Sequence, residues 1–191
     1  MRQFISLLML CAVTALLGFR APEKDTMELS FQYDKKAGPG SNQYAVWIED
    51  ANGQVVKTLF VTHFTAKGRS RGGAKAARGY TFRPSCTPTW VKHVGADNLS
   101  DEQIDAFTGA TPAQSGVQTF TWDFTDQAGK PVPQGTYRFF LEATYDGASV
   151  VTHTGTVTSG APAGDLPLET TYIEPSENRK DMITNVKARK L

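Results

Sequence analysis

The chain is poor in cysteine, with Cys11 and Cys86 the two present in 191 residues. Cys11 falls inside an apolar leader, so once that leader is removed Cys86 stands alone and no internal disulfide can form. A disulfide-stapled scaffold is thereby excluded, and Cys86 reads as a small buried apolar residue. Histidine is also scarce. His63, His93 and His153 lie far apart on separate segments, without metal-ligand spacing, and read as strand or loop residues. No charge sign dominates: 20 Lys and Arg against 19 Asp and Glu give a formal net charge of +1, which excludes a dedicated nucleic-acid binder. Gly-x-Ser-x-Gly, His-Glu-x-x-His and a Gly-rich phosphate loop before a helix are all missing. Asp101, Glu102 and Asp105 are close together but fit a solvated helix face better than an acid–base pair. An enzyme with its own substrate pocket is therefore the least supported class. Internal repeats and low-complexity tracts are missing too.

What is present suffices for a core. The apolar fraction is 40 % and the aromatic fraction 10 %, too high for wholesale disorder, and the length suits one domain. Met1-Arg2-Gln3 carries one positive charge. Phe4 to Phe19 is then apolar apart from Ser6, Cys11, Thr14 and Gly18. A run this short with a basic start reads as a secretory signal peptide over residues 1–21. The alternative is an uncleaved anchor. On the first reading the mature domain, 22–191, works in the periplasm or outside the cell, with no stable membrane insertion after signal removal.

From Thr26 onward the pattern has period two. Met27, Leu29, Phe31 and Tyr33 alternate with polar residues, and Tyr44, Val46 and Ile48 alternate with Ala45, Trp47 and Glu49. Asn52-Gly53 supplies a tight turn and Val55 to Phe64 runs extended, which predicts a hairpin. Phe120, Trp122 and Phe124 share one face. Tyr137, Phe139, Leu141, Ala143 and Tyr145 share another. Asp146-Gly147 turns the chain, Val150 to Val157 is rich in β-branched residues, and Tyr172-Ile173 and Met182 to Val186 offer short strands near the end. Strands at this spacing predict an all-β fold, an immunoglobulin-like antiparallel β-sandwich.

Residues 66–117 interrupt the pattern as one long insertion. A loop of that length is usually functional or disordered. Its first part carries Lys67, Arg69, Arg71, Lys75 and Arg78, and no Asp or Glu occurs from Ala51 to Ala96. The basic loop 67–78 is either a solvated loop or a docking surface for something anionic. One short helix is predicted in the insertion. Ser100-Asp101-Glu102-Gln103 fits a capping box, the two acids sit where the helix dipole favours them, and Gly109 follows as a stop.

The string Asp105-Ala106-Phe107-Thr108-Gly109-Ala110-Thr111 resembles the acceptor motif of proteins that carry covalently bound FMN, Asp-x-x-[Ser/Thr]-Gly-Ala-[Ser/Thr]. Such motifs occur in flavin-bearing subunits of sodium-pumping quinone reductases and related complexes. The resemblance implies an FMN phosphoester on Thr111, made by a flavin transferase that uses FAD and a divalent metal. The residue types suit that chemistry. A phosphoester needs a hydroxyl, the small Gly109 and Ala110 let a modifying enzyme approach the backbone, and Asp105 and Thr108 are polar handles. The rival reading is an ordinary Thr-Gly-Ala-Thr-Pro turn. Trp90, Tyr80 and Phe107 lie in or near the insertion and are candidates to stack on the isoalloxazine, with core packing as the alternative for each.

A second stretch, Trp122-Asp123-Phe124-Thr125-Asp126 followed by Gly129-Lys130-Pro131-Val132-Pro133-Gln134-Gly135-Thr136-Tyr137, resembles the hairpin of immunoglobulin-like domains in flagellar hook-capping proteins. The usual form there is Trp-Asp-Gly-x-Asp, so Phe124 stands where Gly is expected. The order of all these features over roughly residues 26–160 resembles a family of predicted periplasmic proteins, domain of unknown function 2271. Two functional expectations follow. One is a periplasmic electron carrier with FMN on Thr111, exchanging electrons with a membrane oxidoreductase or another periplasmic redox protein. The other is a non-enzymatic binding or assembly module that uses the basic loop and holds no cofactor.

Overall fold

A computed structural model describes residues 25–38, 40–68, 82–95, 99–145, 147, 149–173 and 182–191. The leader with Cys11, the basic residues Arg69, Arg71, Lys75 and Arg78, and Tyr80 lie outside the described residues.

Two sheets face one another. β1 (Met27–Tyr33), β5 (Gly116–Trp122), β8 (Gly164–Leu166) and β10 (Ile183–Lys190) form a four-stranded sheet in the order β5-β1-β10-β8. β2 (Gln43–Glu49), β3 (Val55–Thr62), β4 (Thr108–Gly109), β6 (Thr136–Thr144), β7 (Val150–Thr158) and β9 (Glu169–Ile173) form a six-stranded sheet in the order β4-β3-β2-β6-β7-β9. Neighbours are antiparallel except β3 and β4, which are parallel. The all-β sandwich expected from the period-two pattern is what the chain builds. The inward residues of β1, β2 and β6 are the alternating set named above: Leu29, Phe31, Tyr44, Ile48, Phe139 and Leu141 are sealed in one core.

Three helices accompany the strands, where the sequence predicted one. α1 (His63–Lys67) begins where the extended run was expected to continue, so Phe64 is helical and β3 ends at Thr62. α2 (Pro88–Val94) has Pro at its first turn and Gly95 in the left-handed region at its end. α3 (Asp101–Phe107) starts on the predicted box: Ser100 Oγ accepts from the Gln103 N–H at 3.3 Å, and Gln103 Oε1 accepts from the Ser100 N–H at 2.8 Å. His63 and His93 therefore sit on helices, not in strands or loops.

The insertion is thus a packed layer with its own core. Ala66, Trp90, Ile104 and Phe107 meet Ala45, Trp47, Val61 and Phe140 on the outer face of the six-stranded sheet. Trp47 stacks flat on Phe140 at 4.7 Å and an interplanar angle of 5°. Every residue of β2 is consequently buried, including Glu49. Glu49 Oε1 accepts from Trp47 Nε1 at 2.7 Å and lies 2.6 Å from His93 Nδ1. Glu142, sealed on β6, accepts from the Thr89 and Trp90 backbone N–H groups at 3.1 and 3.0 Å, and so fastens the start of α2 to the sheet. Burial pushes its carboxyl up, against the pull of those N–H donors.

The stretch that resembles a hook-cap hairpin crosses between the sheets, since β5 and β6 belong to different ones. Only its tip is a hairpin, closed by Asp126 N–H to Lys130 O at 2.8 Å and Val132 N–H to Phe124 O at 2.9 Å. Phe124 takes φ 53°, the left-handed conformation that suits the Gly of the hook-cap form. Its ring, 4.3 Å from that of Trp122 and buried, offsets a strain of about 1–2 kcal/mol.

Two outcomes follow from this packing. Replacing Glu142 with Ala leaves two buried N–H groups unpaired and is expected to lower unfolding stability by about 2–3 kcal/mol. Limited proteolysis should then cut within 63–107 before the sandwich strands. His153, buried on β7, is held neutral by burial, with its pKa lowered to about 4 from 6.5. Between those values the unfolded chain binds the extra proton, so stability should fall as pH drops from about 6.5 to about 4, by about 3 kcal/mol, and level off below. Urea melts across that window check this, and His153→Leu should flatten the curve.

Candidate functional site

α3 delivers the chain to the rim of the six-stranded sheet. Thr108 ends the helix by donating its hydroxyl to Ile104 O at 2.5 Å. Thr108 and Gly109 then pair with Val61 and Thr62 as β4. Residues 110–115 cross to β5, the edge strand of the other sheet. The helix therefore does not run directly into the acceptor turn; a short parallel strand separates Phe107 from Thr111.

Gly109 has a packing reason to be glycine, since a Cβ there would be driven into the Phe60 ring. Ala110 is exposed and Thr111 is half-buried. Thr111 Oγ1 donates to Asn42 O at 3.3 Å, a long bond. The loop that carries Asn42 is itself well held. Asn42 exchanges hydrogen bonds with the Lys36 backbone at 2.9 and 3.0 Å, Ser41 N–H donates to Tyr145 O at 2.6 Å, and Tyr145 OH donates to Ala37 O at 2.8 Å. Lys35 grips the same crossing: its Nζ donates to Ala113 O and its backbone N–H to Ser115 Oγ, both at 2.9 Å. An ammonium is thus tied to the carbonyl two residues beyond Thr111.

The structure divides the residues named from sequence. Thr108, Gly109, Ala110 and Thr111 form one continuous ledge. Asp105 is exposed and paired with Lys67. Glu102, also exposed, has its carboxyl held below the ordinary range, first by its own backbone N–H and then by the Ser100 hydroxyl. Trp90 and Phe107 require correction as stacking partners. They are 0 % and 5 % exposed, pack edge-to-face at 5.9 Å, and the Trp90 Nε1–H donates to Thr58 Oγ1 at 3.1 Å. Neither ring has a free face for a ligand, because burying them is what holds the insertion on the sheet. Cys86 is buried and its thiol is pushed up by burial, in keeping with a packing role.

Sequence reasoning missed Lys35, Asn42 and Phe60. Asn42 reaches Thr111 across 69 residues of chain and Lys35 reaches Ser115 across 80, separations that no local pattern reports. Phe60 gave no clean parity signal, because a register shift beside it sets Phe60 opposite the inward Val46 and Thr58 opposite the outward Trp47. Among the described residues no group of three or more His, Cys, Asp or Glu is placed to hold a metal ion, and no helix is long and apolar enough to cross a membrane. A cleft of about 950 Å³ lined by Asp50, Val55, Val56, Glu102, Asp126 and Tyr137 lies at the opposite end of β3 from Thr62.

The family described as predicted periplasmic protein, DUF2271, matches residues 26–162, a span that takes in the ledge, its loop and the insertion. No curated protein and no solved structure matches the chain.

Gly109→Ala tests whether the ledge rests on Phe60. The added methyl should cost about 1–3 kcal/mol of stability by thermal melting, with or without any modification at Thr111. Phe60→Ala in the same chain should recover part of the Gly109→Ala loss, as a double-mutant cycle reads out.

Proposed function

Because the chain belongs to the DUF2271 family of predicted periplasmic proteins, we propose that it is a periplasmic electron carrier with FMN joined to Thr111 through a phosphoester. One observation carries the reading. The last hydroxyl of an Asp-x-x-Thr-Gly-Ala-Thr string stands half-exposed on a crossing between two sheets, beside an exposed Ala110 and a bound lysine.

The residues suit the attachment. Thr111 Oγ attacks the FMN-side phosphorus of FAD, the pyrophosphate P–O bond breaks, AMP leaves, and the hydroxyl proton passes to a base of the flavin transferase. The Thr111 O–H bond to Asn42 O is lost in that step, and at 3.3 Å it is weak enough to surrender at small cost. The backbone at 110–111, outside any strand, fits a transferase cleft better than a central strand would, since those strands are already paired on both sides. Lys35 offsets the phosphodiester charge. FMN, once attached, supplies one- and two-electron redox chemistry, and the sandwich supplies a fixed mount. Electrons would pass between a membrane oxidoreductase and another periplasmic redox protein. The alternative, a non-enzymatic binding or assembly module, draws support from the cleft at the far end of β3, which needs no cofactor.

Coexpression with a flavin transferase should add one FMN to the peptide containing Thr111, give a yellow protein, and leave Thr111→Ala colourless and unmodified. Thr111→Ser should keep the modification. A colourless wild-type protein with an unmodified peptide under those conditions overturns the carrier and leaves the binding module.

A further inference from the structure

Four aromatic rings meet beneath the ledge. Phe31 and Tyr44 are sealed at 1 % exposure each. Phe60 and Phe120 are half-buried. The centroids of Phe60 and Phe120 are 5.4 Å apart, Tyr44 stacks on Phe60 at 4.9 Å and 24°, and Phe31 stacks on Phe120 at 6.0 Å and 21°. The two outer rings are therefore backed by the two inner ones, which fixes their orientation.

Their place in the topology matters. Phe60 is on β3, next to the edge strand β4, and Phe120 is on β5, the edge of the facing sheet. Residues 110–115 join those two edges, so the partly open rings lie along the seam that the Thr111 crossing spans. Gly109 sits directly against Phe60. From Gly109 to Thr111 an extended chain covers about 7 Å, within reach of a phosphoribityl tether.

Resting on the flavin reading above, we propose that the isoalloxazine of the Thr111-bound FMN stacks on the Phe60–Phe120 seam. Trp90 and Phe107 are sealed away from it, whereas half-buried Phe60 lies directly against Gly109, two residues before the acceptor, and meets half-buried Phe120. No side chain at 109 could stand between tether and ring without displacing Phe60. Stacking on a hydrocarbon ring face would shield one side of the flavin from water and leave its opposite side to a redox partner.

The test uses the full mature chain loaded by coexpression with a flavin transferase. Phe60→Leu and Phe120→Leu are each expected to retain the FMN mass and to raise flavin fluorescence by about five-fold, the population shift that one aromatic contact carries. Phe140→Leu, in the other core, should leave the fluorescence unchanged. Independently of any variant, urea unfolding of the loaded wild-type chain should raise its fluorescence while the FMN stays attached. Loaded seam variants with wild-type fluorescence, or no rise on unfolding, would overturn the seam while leaving FMN on Thr111 intact. A wild-type chain without added mass removes the parent reading, and the seam falls with it.

Discussion

The centre of the six-stranded sheet, β2 and most of β6, is buried on both faces, and the rest of the molecule is arranged around that constraint. Its inner face packs on β1 and β10, and its outer face carries the insertion. A strand buried on both sides has little room for an unpaired polar group, so the acids of β2 and β6 turn to partners within the protein, with Glu49 Oε2 alone left unbonded between them. Glu142 meets the demand by accepting the free N–H groups at the start of α2, and Glu49 by bonding Trp47 and lying against His93. These contacts fix where α2 sits. With α2 and α3 in place, Trp90 and Phe107 are drawn into the second core, and α3 must leave the layer at the sheet edge. The position of Thr111 follows from that exit.

The acceptor ledge is consequently a boundary feature. It is tied to the sheet on one side by the Thr108 and Gly109 pairing, and to the β1–β2 loop on the other by Lys35 and Asn42. Thr111 is held through its side chain by one long hydrogen bond to Asn42 O, whereas Thr108 and Gly109 before it pair with β3. The ledge is thus firm on both flanks and weakly held at the Thr111 hydroxyl.

How much of this was legible depends on the range of the interaction. The capping box at Ser100 was readable because donor and acceptor are three residues apart. The inward faces of β1, β2 and β6 were readable because a strand repeats every two residues. Phe124 was flagged as standing where the hook-cap form has glycine, and it does take a left-handed φ, since that comparison concerns one residue's backbone. By contrast α2 was missed although Pro88 and Gly95 bracket it, because seven residues, about two turns, give little periodicity. Trp90 was offered as a ligand-stacking ring and is a core residue. Nothing in its neighbours states which sheet covers it.

The sequence by itself determined that the chain would form strands with one apolar face, that helix α3 would start at Ser100, and that a hydroxyl would follow a Gly-Ala step after it. Those outcomes rest on torsions and hydrogen bonds that span a few residues. Only the tertiary structure decided that the outer face of β2 and β6 would also be buried, that Glu49 and Glu142 would be sealed, and that Phe60, Asn42 and Lys35 would meet Gly109, Thr111 and Ala113. Each of those depends on strands distant in sequence being brought side by side, and the free energy that brings them together, burial of apolar area from two layers, belongs to no single segment.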